Sequence, residues 1–357
     1  MAGEEMTCTG IRDRAGQRPG RDAGRQSTVG LPGLVVALIL CLPCSVGAAP
    51  WTKVESANFV IFTDLPAAEA RTLGVALEDF RRLLVHLLPP QESTAETPLE
   101  IHAFRRWRDF EKVAGAGIVG SYTAADPRRA RAVLWAPEET ADAARAMHVL
   151  LHEYTHHFQS RYAGVSLPAW YAEGLAEYFA TVRFQDGIAV VGAPPPDRVA
   201  TLREFRWISS RELFVGGMRY LSPHRPFGRT RTSERTMQYA LGWLAVHYLH
   251  QNDERLRRLA DYLLRLNRGE APDAAFTAAF AQSFDDMDAA LRRYCDEAME
   301  NGLGYRAWRL PEAQAPALTL SRLPIDRQTY WIDEARLYSG DRDRARRMAR
   351  QLENGLA

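Results

Sequence analysis

The chain has 357 residues, 45 Lys+Arg against 44 Asp+Glu, a formal net charge of +1 and 46% hydrophobic residues. A balance this close to neutral provides no electrostatic footprint for nucleic acid or an anionic membrane surface. The apolar and charged fractions are those of a chain that folds around a core, which argues against a disordered or fibrous class.

Residues 1–30 are polar, Gly/Arg-rich and aperiodic, and are expected to lack structure. Leu34 to Leu42 then forms a short apolar run, followed by the small residues Ser45-Val46-Gly47-Ala48-Ala49. A basic lead, a short apolar core and small residues at a cut read as a secretory signal, with cleavage near Ala48 or Ala49 and an exported, periplasmic or secreted product. An uncleaved N-terminal membrane anchor is the alternative, although the run is short for a bilayer. Three of the four cysteines (Cys8, Cys41, Cys44) would leave with the signal, so Cys295 alone remains and no internal disulfide can form.

From Trp51 onward, residues 57–63 are β-branched and aromatic and predict a strand. Ala67 to Leu88 carries helical spacing through Leu73, Leu77, Phe80, Leu84 and Leu87, and Pro89-Pro90 stops it. A second strand is expected over Leu99–Phe104, a short helix over Arg106–Val113, and two further strands near 119–123 and 130–135. His102 alternates with apolar neighbours and reads as a structural histidine. Ala141 to Tyr162 has the apolar spacing of a long helix and Gly164 suits a left-handed cap after it. Pro168 opens the next helix, which runs to Phe179. A Gly187-centred hairpin, a loop at Ala193–Pro196 and a mixed stretch over 201–232 follow. Helices are then expected at 235–250, 253–266, 272–281 and 285–299. No Gly-rich nucleotide loop of either common spacing occurs, so neither nucleic acid nor nucleotide is expected as a partner.

The chemistry is concentrated in the two helices at the centre. His152-Glu153-Tyr154-Thr155-His156 reads H-E-x-x-H. On a helix, residues four apart share a face, so His152 and His156 can offer two imidazoles to one metal ion with Glu153 beside them. The second helix repeats that spacing in Glu173 and Glu177, with sixteen residues between His156 and Glu173, and His/His/Glu is a known catalytic zinc set. His148 lies on the ligand face one turn earlier and reads as a neighbour rather than a ligand. His157 points away from it and reads as structural.

H-E-x-x-H followed by W-x-x-E-G-x-A-E-Y, from Trp170 to Tyr178, resembles the gluzincin zinc metallopeptidases and, more narrowly, the peptidase-MA-like group of exported bacterial proteins. The resemblance implies His152, His156 and Glu173 as metal ligands, one Zn²⁺ per chain, Glu153 as general base on the zinc water, and Glu177 as a carboxylate that orients a ligand histidine. It also implies a Tyr or His that serves the developing oxyanion from beyond the ligand helix, for which Tyr239 is the candidate. The fold expected is α+β and zincin-like: an N-terminal mixed sheet, the zinc-binding helix, then a helical second half. The domains expected are a lead with signal over 1–49, a sheet subdomain over 50–140, the zinc-site and helical subdomain over 141–310, and a hairpin over 325–357.

That last hairpin, with Ala335, Leu337, Tyr338, Gly340, Asp341, Ala345, Ala349 and Leu352, is similar to one tetratricopeptide unit and offers a surface for a protein partner. The activity expected is zinc-dependent hydrolysis of peptide bonds in a peptide or protein substrate. The alternative is a zincin-like binding or scaffold protein of the cell envelope without turnover.

Overall fold

The computed structural model describes residues 51–89, 98–114, 120–123, 131–136, 141–162, 164–216, 229–302, 304–311 and 316–323. The expected signal segment and the 325–357 hairpin lie outside the described residues. No helix among the described residues is long and apolar enough to cross a membrane.

The fold is α+β, with a mixed sheet first and helices after it. Six strands form the sheet: β1 (Thr52–Glu55), β2 (Phe59–Thr63), β3 (Leu99–Phe104), β4 (Gly120–Thr123), β5 (Arg131–Trp135) and β9 (Thr319–Arg322). Their order is β4-β5-β3-β2-β1-β9, with β2, β3 and β5 parallel and the other pairings antiparallel. Successive side chains on a strand face opposite ways, and the residues divide accordingly. Ile61, Leu99, Ile101, Ala103 and Leu134 join the main core with helix α1 (Ala67–Leu87). Phe62, Phe104 and Val133 meet Phe110 and Val113 of helix α2 (Trp107–Ala114) in a smaller core on the other face. His102 is fully buried on that second face, its Nε2 2.7 Å from Glu100, as expected of a structural histidine.

Three strands, β1, β9 and β8 (Arg306–Arg309), escaped the sequence reading. β1 pairs with β2 on one side and β9 on the other, Thr52 opposite Thr63 and Arg322. The sheet thus draws one strand from beyond the helical half. A second, three-stranded sheet joins β6 (Arg183–Gln185), β7 (Ile188–Val191) and β8 (Arg306–Arg309). The β6–β7 turn is the predicted Gly187 hairpin, with Asp186 and Gly187 both at positive φ.

The helical part comprises α3 (Ala141–Tyr162), α4 (Ala169–Phe179), α5 (Pro196–Glu204), α6 (Ser210–Phe214), α7 (Arg229–His250), α8 (Asp253–Asn267), α9 (Pro272–Phe280) and α10 (Phe284–Asn301). Two corrections arise here. The stretch at 193–196 is not only a loop, because Pro196 begins α5, where a missing N–H is harmless. The arginine-rich run also enters helix, since α7 starts at Arg229 rather than Arg235.

Helix α4 lies directly on α7. A Cβ on Gly174 would sit 2.4 Å from the Gly242 carbonyl oxygen, so the two backbones touch without side chains between them. This close approach fixes α7 behind the helix that carries Glu173 and Glu177.

The same interface buries two histidines as neutral groups. The Gly192 carbonyl can only accept, so His247 donates from Nε2 at 3.0 Å and its Nδ1 accepts from the Tyr294 hydroxyl at 2.6 Å. Burial holds His247 down at about 4, against the pull of the Gly192 and Gly304 carbonyls. Burial also lowers His250, to about 3, with the charge of Arg306 adding to the effect. Below the ordinary histidine value of about 6.5 the unfolded chain binds protons that the folded chain does not. Stability should therefore fall as pH drops from about 6.5, by roughly 1.4 kcal/mol per pH unit for each such histidine. Urea midpoints of the metal-free protein between pH 7 and pH 5 will show this slope, and His247→Gln, which cannot titrate, should flatten it. An unchanged slope in that variant would assign the acid sensitivity to other groups.

Candidate metal centre

Helix α3 presents His148, His152 and His156 one turn apart, and α4 presents Glu173 and Glu177 one turn apart. With α4 packed against α3, the two rows interleave as a ladder. Glu173 Oε2 lies 3.3 Å from His152 Nε2 and 3.1 Å from His156 Nε2, and those two nitrogens are 3.1 Å from each other. Glu177 takes the other side of His152, its Oε1 3.3 Å from Nδ1, and its Oε2 lies 3.3 Å from His148 Nε2.

The three atoms nearest one another, His152 Nε2, His156 Nε2 and Glu173 Oε2, form a triangle with sides of 3.1 to 3.3 Å. Tetrahedral zinc with bonds of about 2.0–2.1 Å places its ligand atoms roughly 3.3 Å apart, so the triangle has the right size for one face of that tetrahedron. The outer nitrogens support the same assignment. His152 Nδ1 faces a carboxylate, and His156 Nδ1 faces the Gln159 Oε1 at 3.3 Å while the amide end of Gln159 donates to the Ala172 carbonyl. Both Nδ1 atoms are therefore placed to carry the N–H, which leaves both Nε2 lone pairs converging on a carboxylate. Three acceptors aimed at one point form a donor set that could hold a cation.

Among the described residues this group could hold a metal ion. Its three side chains are between one-tenth and one-quarter exposed, so the group is only partly enclosed.

The charge balance without a metal follows from the same contacts. Burial would lower His152, but the hydrogen bonds and charges of Glu173 and Glu177 hold it at about 9. Burial would raise Glu173, but the two imidazoles hold its carboxyl down at about 2. Glu177 is likewise well below the usual carboxylate range despite burial, because His148, His152 and Arg198 all donate to it. Glu153 behaves oppositely: burial raises its carboxyl, Glu173 adds to that, and the charges of His152 and His156 oppose it.

The other expected residues are placed as follows. His157 is buried against the Tyr154 ring, at 5.7 Å between centroids, away from the triangle. Tyr239 comes from α7 to the His152 side of the site, its ring centroid 6.3 Å from the His152 ring. Cys295 is buried in α10 and unpaired by any disulfide. One residue of the site escaped sequence reasoning altogether: Arg198 of α5, whose guanidinium grips Glu177 and lies 5.1 Å over the Tyr239 ring.

A family model matches this part of the chain. Its description is "Protein of unknown function (DUF1570)", and the match spans residues 143–269. That span runs from the first turn of α3 to just past α8 and contains every residue of the ladder together with Arg198 and Tyr239. Comparison with curated proteins returns no match.

Proposed function

We propose that this protein is a zinc-dependent peptidase whose metal is held by His152, His156 and Glu173. The observation that carries the reading is the triangle of three lone-pair donors, of tetrahedral size, with a half-buried carboxylate, Glu153, next to it in the chain but outside it. A zinc ion there would polarise the scissile carbonyl and bring the pKa of its water toward ~7.

The protein's own groups supply the rest. Glu153 takes a proton from the attacking water and later delivers it to the leaving nitrogen. Its carboxyl is raised by burial toward the working pH, which suits a group that must both accept and return a proton. Glu177 fixes the orientation of His152 through Nδ1. The gluzincin resemblance of H-E-x-x-H and W-x-x-E-G-x-A-E-Y supports the same assignment.

Export to the cell envelope belongs to this proposal as well, on the apolar run and small residues before position 50. N-terminal sequencing of the protein from an envelope fraction tests it. An intact Met1 in the cytosol overturns it. The function itself is tested by zinc content per chain together with cleavage of casein or a peptide library by the full protein. A zinc-loaded, folded protein that cleaves nothing would favour the scaffold alternative.

Tyr239 carries a separate expectation. If its hydroxyl serves the developing oxyanion, Tyr239→Phe should lower kcat by about 10²–10³ while leaving zinc content intact. An unchanged kcat would return Tyr239 to a packing role beneath Arg198.

A further inference from the structure

Helix α4 offers the metal two carboxylates, not one. Glu173 and Glu177 are a turn apart, and each lies 3.3 Å from a nitrogen of the same imidazole, Glu173 at Nε2 and Glu177 at Nδ1. An imidazole can bind a metal through either nitrogen. By spacing alone, His152 and His148 with Glu177 would be as good a start for a site as His152 and His156 with Glu173. Something beyond the two helices must distinguish the two ends of the ladder.

Arg198 does. It stands in the first turn of α5, a helix begun by Pro196 after the Pro195 cap, and its guanidinium reaches Glu177 in the two-pronged geometry that suits carboxylates. Nε lies 3.0 Å from Oε2 and Nη2 lies 2.6 Å from Oε1. Glu177 is almost wholly enclosed, with 3% of its side chain exposed. Both of its oxygens are thus committed, each to one arm of the guanidinium and one histidine nitrogen. Among the described residues, Glu173 by contrast meets only the two imidazoles. The same guanidinium lies over the Tyr239 ring, so one side chain touches two of the groups that border His152.

We propose that Arg198 is a positioning residue for the metal centre: it locks Glu177 against His152 Nδ1 and thereby leaves Glu173 as the carboxylate that faces the ion. This rests on the metal reading above. A fixed positive charge at Glu177 also repels a cation from that end of the ladder, so the arginine both orients one imidazole and forbids the competing site. A lysine would keep the charge but lose the two-pronged grip.

The test uses the full chain and Zn²⁺ itself, with affinity read by competition against a chromophoric chelator and folding read by thermal denaturation. Arg198→Ala should weaken zinc binding by up to about 10–100-fold, the usual cost of losing the outer partner of a ligand histidine, here Glu177 set loose from its guanidinium. Arg198→Lys should recover part of that loss. The decisive arm is the Glu177→Ala background, where adding Arg198→Ala should change the zinc affinity little, because the residue through which Arg198 acts is already gone.

Wild-type zinc affinity in folded Arg198→Ala overturns the inference. So does a loss of equal size with and without Glu177, which would mean that the arginine only tethers α5. Should Arg198→Ala fail to fold, Arg198→Lys carries the same comparison in both backgrounds. A wild-type chain that binds no zinc fails the metal reading instead, and that outcome is distinct from a wild type that binds zinc tightly with Arg198 immaterial.

Discussion

Replacing Glu153 with glutamine is expected to leave about one zinc per chain and to cut kcat by at least the ~10²–10⁴-fold contributed by a positioned general base. Glutamine keeps the length, shape and hydrogen-bonding reach of the side chain, so the packing of α3 is undisturbed. It cannot accept a proton at neutral pH. None of the three atoms of the metal triangle belongs to Glu153, and the contacts that orient His152 and His156 run to Glu177 and Gln159. Metal binding and chemistry should therefore separate cleanly in this variant. The environment of the carboxyl points the same way: burial raises it, and only the charges of the two histidines restrain the rise. The measurement is metal content by atomic absorption on the same preparation that is assayed for peptide cleavage. A folded, zinc-loaded Glu153→Gln that still cleaves as the wild type does would end the mechanism, and one that loses its zinc would place Glu153 among the ligands.

How much of this centre was legible in advance depends on how each contact is made. His152 and His156, and likewise Glu173 and Glu177, lie four residues apart inside strongly patterned helices, and helical geometry alone puts each pair on one face. That the two faces meet is a tertiary fact, but a short connection between them and the gluzincin resemblance pointed to it. The mixed sheet was legible for a similar reason: β2, β3 and β5 are apolar runs bounded by turn residues, and α1 between β2 and β3 makes the parallel crossover.

The misses are of two kinds. β1, β8 and β9 are four-residue strands with mixed composition, and β8 and β9 find their partners far away along the chain: Trp308 sits opposite Ala189 and Leu320 opposite Val54. A four-residue segment carries too little periodicity to be read, and its strand character comes from the ladder it joins. Helix α5 was hidden differently. Three consecutive prolines read as a loop, although the last of them stands where a helix accepts proline. With α5 went Arg198, because no spacing rule ties an arginine in one helix to a glutamate three elements earlier. The rows of His152 and His156 and of Glu173 and Glu177 follow from local periodicity, while Arg198, which holds Glu177, follows only from packing.

The remaining large effect concerns which carboxylate is the ligand, and it can be read as an ordering. Glu173→Ala removes one corner of the 3.1–3.3 Å triangle and leaves two imidazoles facing each other. Two nitrogens without a third protein donor are fewer than a catalytic zinc site uses, so the purified variant should carry zinc only at background level and lose activity with it. Glu177→Ala keeps the triangle and loses only the contact to Nδ1, so zinc should be retained with a weakening of about 10–100-fold. Equilibrium competition with a chelator distinguishes these outcomes over the range required. The opposite ordering, with Glu177→Ala emptied and Glu173→Ala still loaded, would move the metal to the His148 end of the ladder. That result would contradict the geometry directly, because Glu177 is the carboxylate already held by a guanidinium on both of its oxygens.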